Sequence, residues 1–263
     1  MIDIQAENWL RELLPHVARL AREAGDAIMA VYSEENPKVE YKQDNSPLTQ
    51  ADLASHHVIL NGLHRLSPDW PILSEESLQI PFDQRKLWQY FWMVDPLDGT
   101  REFLRRSGEF TVNIALMQGN APILGAVYAP AIDKLYFAAR GSGAYKVERD
   151  VVSQIKVSRP QNAAKRTVVS RSHETHGESI GAVAGAEQSC EFIAMGSSLK
   201  FCLVAEGAAD LYPRMGPTME WDTAAAHCIL DEAGGFITDL DGNPMHYNKP
   251  ELRNSGFLAR GAL

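Results

Sequence analysis

A strand that runs into a carboxylate-rich turn is the feature that most constrains the fold of this chain. Residues 87–94 are almost all aromatic or apolar, a composition typical of a strand buried inside a sheet. The sequence Asp-Pro-Leu-Asp-Gly-Thr follows at residues 95–100. Pro96 fixes its own φ and biases Asp95 towards an extended conformation, so the two carboxylates need not point apart as strand neighbours would. The pattern predicts a strand that ends at a pair of acids.

The last two residues of this turn predict the start of a helix. Gly99 allows the backbone to turn tightly, and Thr100 is expected to be the N-cap of the helix. A carboxylate-rich turn beside free helix N–H groups can hold a hard cation and an anion together, which indicates metal-assisted phosphate chemistry. The plainer interpretation is an ordinary strand-to-helix turn in which an acid serves as a cap.

Further acids favour the metal site over the plain turn. Glu75 and Glu76 follow a predicted short strand, Asp222 precedes a run of small residues typical of a helix, and Asp52 leads into another predicted helix. Each of them alone is an ordinary cap or solvated charge, because acids are favoured near helix N-termini. Periodicity does not establish that they meet in space.

The order and spacing of these acids resemble the signatures of the inositol monophosphatase superfamily. The segments that carry the resemblance are Glu75-Glu76, residues 95–100 and residues 221–225. Members of this superfamily are Mg²⁺-dependent, lithium-sensitive phosphomonoesterases built from alternating layers of helix and sheet. Within it, residues 24–29, 108–116 and 196–207 are similar to the bacterial 3′(2′),5′-bisphosphate nucleotidases.

The resemblance implies a set of ligands for two or three Mg²⁺ ions. The implied ligands are the backbone carbonyl of Leu97 and four carboxylates, Glu75, Asp95, Asp98 and Asp222. Glu75 is chosen over Glu76 because it is the first acid of the pair, which matches the ligand of the family. Oxygen donors of this kind suit Mg²⁺, and two such ions about 3.5–4 Å apart can support an in-line displacement at phosphorus.

The resemblance also assigns the attacking water. Asp52 and Thr100 match the pair that orients and deprotonates it, and Glu75 is counted with them as catalytic. The helix that opens near Thr100 would offer its N–H groups to the scissile phosphate. A Gly-x-Ser-x-Gly motif is absent, and Cys190, Cys202 and Cys228 lie in apolar contexts, so direct attack by water is favoured over a phosphoenzyme.

Two cationic positions bear on the substrate. Inositol-specific relatives tend to carry an acid at the position of Arg214, and a guanidinium suits a second phosphate better than a sugar hydroxyl. Arg214, Ser197 and Lys200 are therefore interpreted as a pocket for the 5′-phosphate of an adenosine bisphosphate. The alternative is that both cations are ordinary exposed charges. His173 matches a position that contacts the nucleotide in eukaryotic relatives. The full predicted substrate-binding set is Glu75, Leu97, Asp98, Gly99, Thr100, His173, Ser197, Lys200, Arg214 and Asp222.

Composition limits the partners. The net charge is −9 and the chain has no basic run, which argues against nonspecific nucleic-acid binding; bound cations would reverse the local charge for an anionic substrate. No apolar run approaches the roughly 20 residues that span a bilayer, and no signal pattern opens the chain. The three cysteines have no Cys-x-x-Cys spacing, which fits reduced thiols in a cytoplasmic protein. Peripheral association with the inner membrane is left open. A monomer or a homodimer is expected.

The order of elements predicts an α/β fold in two parts. The first, residues 1–156, is an α+β domain with strands at 110–117, 123–128 and 134–139, and it carries most of the ligands. The second, residues 157–263, alternates strand and helix and carries Asp222 and the substrate pocket. Its predicted elements include a helix between residues 170 and 192. Pro15 either separates two N-terminal helices or kinks a single one.

The leading prediction is hydrolysis of 3′-phosphoadenosine 5′-phosphate to AMP and phosphate by metal-activated water. One alternative is an inositol or sugar monophosphatase, which would be indifferent to the loss of Arg214. Another is a catalytically idle regulatory binding protein on the same scaffold, although such a protein would have little need of all four carboxylates. The resemblance also implies inhibition by lithium.

Overall fold

Two large β-sheets and the helices around them are the main elements of the part of the chain that the structure describes. The computed structural model describes residues 8–34, 39–41, 47–77, 80–158, 165–171 and 190–261. Within these residues the α-helices are α1 (Asn8–Tyr32), α2 (Gln50–Leu66), α3 (Phe82–Arg85), α4 (Thr100–Leu104), α5 (Leu199–Ala205) and α6 (Ala224–Glu232). In the same residues, none of these helices is long and apolar enough to cross a membrane.

The larger sheet has seven strands, and their order in the sheet is the same as their order in the sequence. They are β3 (Ile72–Ser74), β4 (Tyr90–Asp98), β5 (Thr111–Gln118), β6 (Ala121–Ala129), β7 (Lys134–Ala139), β8 (Gly143–Glu148) and β9 (Val151–Ile155). The first two strands are parallel and every later pair is antiparallel. This confirms the predicted meander, because short turns such as Gly119-Asn120 can join only antiparallel neighbours.

The smaller sheet has five strands and mixed topology. Its strands are β10 (Lys165–Ser170), β11 (Cys190–Met195), β12 (Leu211–Arg214), β14 (Phe236–Asp239) and β16 (Phe257–Arg260), in the order β11-β10-β12-β16-β14. Two short pairs, β1 (Val39–Tyr41) with β2 (Pro47–Thr49) and β13 (Thr218–Met219) with β15 (Arg253–Asn254), lie outside both sheets. The sequence did not predict β16. The helix predicted between residues 170 and 192 lies outside the described residues.

The layers alternate as predicted. Along β4 and β5, one set of side chains packs with the buried face of α1, whereas the alternate set packs with the helix α6. Trp92 and Ile114 lie on the α1 side, and Met93 and Ala115 lie on the α6 side. This is the period-two alternation of a strand that is buried on both faces. α5 and α6 in turn cover the smaller sheet, so helices and sheets form a layered α/β sandwich.

Close approach between α6 and the larger sheet requires a glycine. A Cβ at Gly125 would lie only 2.2 Å from the carbonyl oxygen of Ala225, which is backbone and cannot swing away. The helix therefore rests directly on the backbone of β6. Asp222 precedes this helix, so the contact also determines how near that carboxylate comes to β4.

One open alternative is decided and one predicted boundary is corrected. Of the two alternatives at Pro15, the structure has the single helix, because α1 is continuous from Asn8 to Tyr32. The strand predicted over residues 87–94 instead begins at Tyr90, and it continues through both acids to Asp98. Leu87 is 77% exposed, so the start of the apolar run is not part of the sheet. The proposed domain boundary at residue 156 stays a prediction.

Candidate metal centre

A bulge in β4 places the first two acids. Asp95 pairs with Asn113 and Asp98 pairs with Thr111, so residues 95–98 of β4 lie opposite residues 111–113 of β5, and β4 has one extra residue. The extra residue is a β-bulge, a feature that bends a strand and redirects its side chains. Pro96 is tolerated there because a bulge interrupts the ladder. The amide of Leu97 donates to Asp95 Oδ1 at 3.0 Å, which closes the turn around the carboxylate.

Asp222 reaches the same place from the other half of the chain. It ends a 3₁₀ turn (Glu220–Asp222), and its Oδ2 accepts a hydrogen bond from the amide of Met219 at 2.8 Å. Carboxylate oxygens of Asp95, Asp98 and Asp222 all lie within 4.8 Å of one another. The structure therefore brings together three of the four predicted carboxylate ligands in one cluster.

Glu75 lies beside this cluster. Its amide donates to the carbonyl of Val94 at 3.1 Å, which extends the parallel pairing of β3 with β4 by one residue. Burial, together with the negative charges of Glu75, Asp98 and Asp222, raises the pKa of Asp95 well above its usual range. Burial and the charges of Asp98 and Glu75 likewise raise the pKa of Asp222. The four carboxylates thus repel one another when ionised.

This donor set fits a hard divalent cation. Every side-chain donor in the cluster is a carboxylate oxygen, the ligand type that Mg²⁺ prefers over softer metals. The raised pKa values of Asp95 and Asp222 show that the ionised cluster is unfavourable without a compensating positive charge. A bound cation would supply that charge and favour the ionised carboxylates.

Asp52 and Thr100 are in contact, as a shared role requires. The hydroxyl of Thr100 lies 3.3 Å from Asp52 Oδ1 and 3.4 Å from the carbonyl of Leu97. Asp52 is buried as the third residue of α2, where its Oδ2 accepts hydrogen bonds from the amide of Thr49 at 2.7 Å and the hydroxyl of Thr49 at 2.6 Å. Thr100 was predicted to be the N-cap of α4, but it is the first residue of that helix. Gly99 takes the N-cap position with a φ of 93°, which a non-glycine residue rarely adopts.

A cleft of about 190 Å³ joins the acids to the predicted phosphate pocket. Asp98, Gly99 and Asp222 line it, together with three predicted substrate residues from the smaller sheet and α5: Ser197, Lys200 and Arg214. Asp52, Glu75, Asp95, Leu97 and Thr100 are not among the residues that line this cleft. His173 lies outside the described residues.

Lys200 is buried, which excludes the alternative that it is an ordinary exposed charge. It is 7% exposed, and its Nζ donates to the carbonyl of Ser197 at 2.6 Å. Burial lowers the pKa of Lys200 to about 8, and repulsion by Arg214 contributes to the shift. Arg214 is partly buried at the end of β12 and donates to the hydroxyl of Ser170 at 2.9 Å. Two fixed cations therefore face the cleft.

A network of hydroxyl and amide groups beneath Asp98 was not predicted from the sequence. Ser197 Oγ lies 2.5 Å and Ser198 N lies 2.7 Å from Asp98 Oδ2. Below them, the hydroxyl oxygen of Thr111 lies 2.6 Å from Ser197 Oγ, and the side-chain amide of Asn113 donates to Ser198 Oγ at 2.9 Å. Thr111 and Asn113 occupy alternate positions of an otherwise apolar buried strand, and this alternation was the available signal.

Comparison with known proteins agrees with this geometry. The model of the inositol monophosphatase family matches residues 9–260. The chain is 50% identical over 250 residues to the 3′(2′),5′-bisphosphate nucleotidase CysQ of Salmonella typhimurium, covering 93% of this chain and 98% of the relative. The CysQ of Haemophilus influenzae is 38% identical over 251 residues, covering 95% and 93% of the two chains.

Solved structures give the same result. CysQ from Bacteroides thetaiotaomicron superposes with a TM-score of 0.81 at 39% identity, covering 95% of this chain and 97% of that one. Inositol monophosphatase from Anabaena superposes with a TM-score of 0.75 at 28% identity, covering 96% and 92%. The resemblance carried by the sequence motifs is confirmed, and the chain belongs to the inositol monophosphatase family.

Proposed function

We propose that this protein is a Mg²⁺-dependent 3′(2′),5′-bisphosphate nucleotidase that hydrolyses 3′-phosphoadenosine 5′-phosphate to AMP and phosphate. The observation that carries the proposal is one cleft in which two acids of the cluster, Asp98 and Asp222, face two fixed cations. The cluster suits the ester that is cleaved, and the cations suit a second phosphate that is retained. The CysQ relatives, whose name states this activity, support the same substrate class.

Five groups would hold the metal: the Leu97 carbonyl and the carboxylates of Glu75, Asp95, Asp98 and Asp222. When bound, Mg²⁺ would supply the positive charge that makes a water molecule a better nucleophile and stabilises the leaving oxygen. Two or three ions per site are proposed, in keeping with the family. Inhibition by lithium is proposed on the same ground.

The chain's own residues would manage the proton of the attacking water. Thr100 Oγ1 would accept that proton while its own hydroxyl proton passes to Asp52 Oδ1, with which it is in contact. The two hydrogen bonds from Thr49 hold the Asp52 carboxylate in a fixed orientation for this transfer. A positioned general base of this kind contributes on the order of 10²–10⁴ to the rate.

Substrate selection would depend on the opposite side of the cleft. Lys200 and Arg214 would bind the 5′-phosphate. Ser197 stays a predicted contact, because its one hydroxyl proton is donated to Asp98. A guanidinium forms paired hydrogen bonds with phosphate oxygens, whereas it has no acceptor to offer a sugar hydroxyl. This argues against an inositol phosphate as the preferred substrate. His173 stays a predicted nucleotide contact.

The cellular setting is proposed from chemistry. Cys202 and Cys228 are buried free thiols and Cys190 is partly buried, which suits a reducing compartment such as the cytoplasm. Peripheral association with the inner membrane, and the choice between a monomer and a homodimer, stay predictions.

The test is a comparison of substrates. Phosphate release is measured with Mg²⁺ from 3′-phosphoadenosine 5′-phosphate and from inositol 1-phosphate, for the wild type and Arg214→Ala. We expect the wild type to prefer the bisphosphate. Arg214→Ala should lower kcat/KM for that substrate about 10- to 100-fold, since it removes a charged hydrogen-bond donor worth about 1.5–3 kcal/mol. Arg19→Ala, on the exposed face of α1, is the matched control. A wild-type preference for the inositol ester would contradict the proposed substrate and leave the metal site intact.

A further inference from the structure

Asp98 is oriented by a loop from the other half of the chain. The loop is the Gly-Ser-Ser segment at residues 196–198, between β11 and α5. Ser197 Oγ and Ser198 N both lie within hydrogen-bond distance of one oxygen of Asp98, at 2.5 Å and 2.7 Å. The direction of the Asp98 carboxylate, and so its place in the acidic cluster, depends on where this loop lies.

The loop has an unfavourable backbone conformation. Ser197 has a φ of 53°, in the left-handed region that side chains other than glycine rarely adopt. Such a conformation persists only when its surroundings hold it in place. Gly196 shows how tightly they do so, because a Cβ at this position would lie 2.8 Å from the carbonyl oxygen of Glu109.

The side chain of Glu109 fixes the start of the loop. Its Oε2 accepts a hydrogen bond from the amide of Gly196 at 2.8 Å and another from Arg171 Nε at 3.0 Å. Arg171 also pairs with Oε1, so the carboxylate is held on both oxygens. The side chain of Glu109 is only 13% exposed. Glu109 precedes β5 of the larger sheet and Arg171 follows β10 of the smaller one, so the contact joins the two sheets beside the cleft.

We propose that Glu109 is a positioning residue for the metal centre. It acts through the amide of Gly196, which places Ser197 and Ser198 against Asp98. The proposal rests on the proposed function in one respect, since it requires the acidic cluster to bind a divalent cation. Partners that orient a metal ligand typically contribute about 10- to 100-fold to metal affinity.

The test measures metal affinity without substrate. Mn²⁺ is titrated into the purified full-length protein, and free Mn²⁺ is followed by electron paramagnetic resonance. Glu109→Ala should weaken binding at the cluster about 10- to 100-fold. Glu109→Gln should weaken it less, because its amide oxygen can still accept from Gly196. Glu148→Gln is the matched control, since Glu148 also pairs with basic side chains but lies on β8 and does not line the cleft.

Each outcome bears on the proposal. Wild-type Mn²⁺ affinity in Glu109→Ala would overturn it, including the case in which thermal unfolding shows that the variant is less stable, because a purely structural role lowers stability alone. If Glu109→Ala does not fold, Glu109→Asp decides, because its shorter side chain keeps the charge but withdraws the acceptor from Gly196, and an unchanged affinity there would overturn the proposal. Absence of Mn²⁺ binding by the wild type would instead contradict the metal centre itself, and with it the proposed function.

Discussion

Lys200 shows how its surroundings determine the charge of a single side chain. The sequence indicated that a cation stands here, in a segment similar to bisphosphate nucleotidases, but a lone lysine is ordinarily an exposed charge. Its burial depends on residues distant in sequence, including Tyr212, whose ring centroid lies 5.4 Å from the Lys200 ammonium. The residue type was therefore predictable and its environment was not. The lowered pKa follows from that environment.

The pKa of Lys200 predicts a pH dependence. Because burial lowers the pKa of Lys200 to about 8, its ammonium loses its charge as the pH rises through that value. The attraction for a 5′-phosphate is present below pH 8 and is lost above it. We expect kcat/KM for 3′-phosphoadenosine 5′-phosphate, measured from about pH 6.5 to about pH 9.5, to decline above the pKa of the free enzyme.

Two controls isolate the contribution of Lys200. In Lys200→Arg the decline should disappear, because an arginine stays charged to about pH 12 or beyond. Adenosine 3′-monophosphate, which has no 5′-phosphate, should show no decline that depends on Lys200. An identical alkaline decline for the wild type and Lys200→Arg would refute the assignment.

At the scale of elements, β4 was predicted in part. The apolar run gave the strand, and the spacing of the acids gave the candidate ligands. The strand was expected to end at Val94, just before the pair of acids. It continues because a bulge opposite β5 accommodates the proline, and bulges depend on the partner strand, which local sequence does not reveal. Helix α2 was predicted with Asp52 near its N-terminus, since the preference of acids for helix N-termini is a local effect.

The start of α2 offers a test that separates chemistry from capping. Asp52→Asn should lower kcat on the order of 10²- to 10⁴-fold, because the amide cannot accept the proton passed by Thr100. Thr49→Ala removes the N-cap hydroxyl at the same helix end and should lower the free energy of unfolding by about 1 kcal/mol. Its kcat should fall far less, because the amide of Thr49 still donates to Asp52. Steady-state kinetics and urea unfolding are measured for both variants. A kcat close to the wild-type value in Asp52→Asn would assign Asp52 to capping alone.

At the scale of the molecule, the site depends on contacts that the sequence does not specify. Asp98 and Asp222 come from opposite parts of the chain, and they meet because α6 lies on the backbone of β6 at Gly125. The family signatures indicated that these acids belong together, whereas periodicity alone did not. β16 was missed because its antiparallel place between β12 and β14 follows from the arrangement of the sheet rather than from its short sequence.

The contact at Gly125 can be tested directly. Gly125→Ala would place a methyl group 2.2 Å from a backbone oxygen of α6, so the helix must move away from the sheet. We expect a loss of about 1–3 kcal/mol in the free energy of unfolding, the usual cost of overpacking, together with weaker activation by Mg²⁺ as Asp222 shifts. Gly119→Ala is the control, because its Cβ would meet no atom within 4 Å and only its positive φ, which costs about 1–2 kcal/mol, opposes the change. Activation by Mg²⁺ that is unchanged in both variants would show that this contact does not place Asp222.

The central claim, metal-dependent hydrolysis by the acidic cluster, is tested most directly by phosphate release from 3′-phosphoadenosine 5′-phosphate with and without Mg²⁺. The wild type should turn over only with Mg²⁺, and Asp98→Asn should abolish turnover. Asp150→Asn, an exposed acid at a hairpin turn that asparagine also accommodates, should retain it. Turnover that is independent of Mg²⁺, or that survives in Asp98→Asn, would contradict the account.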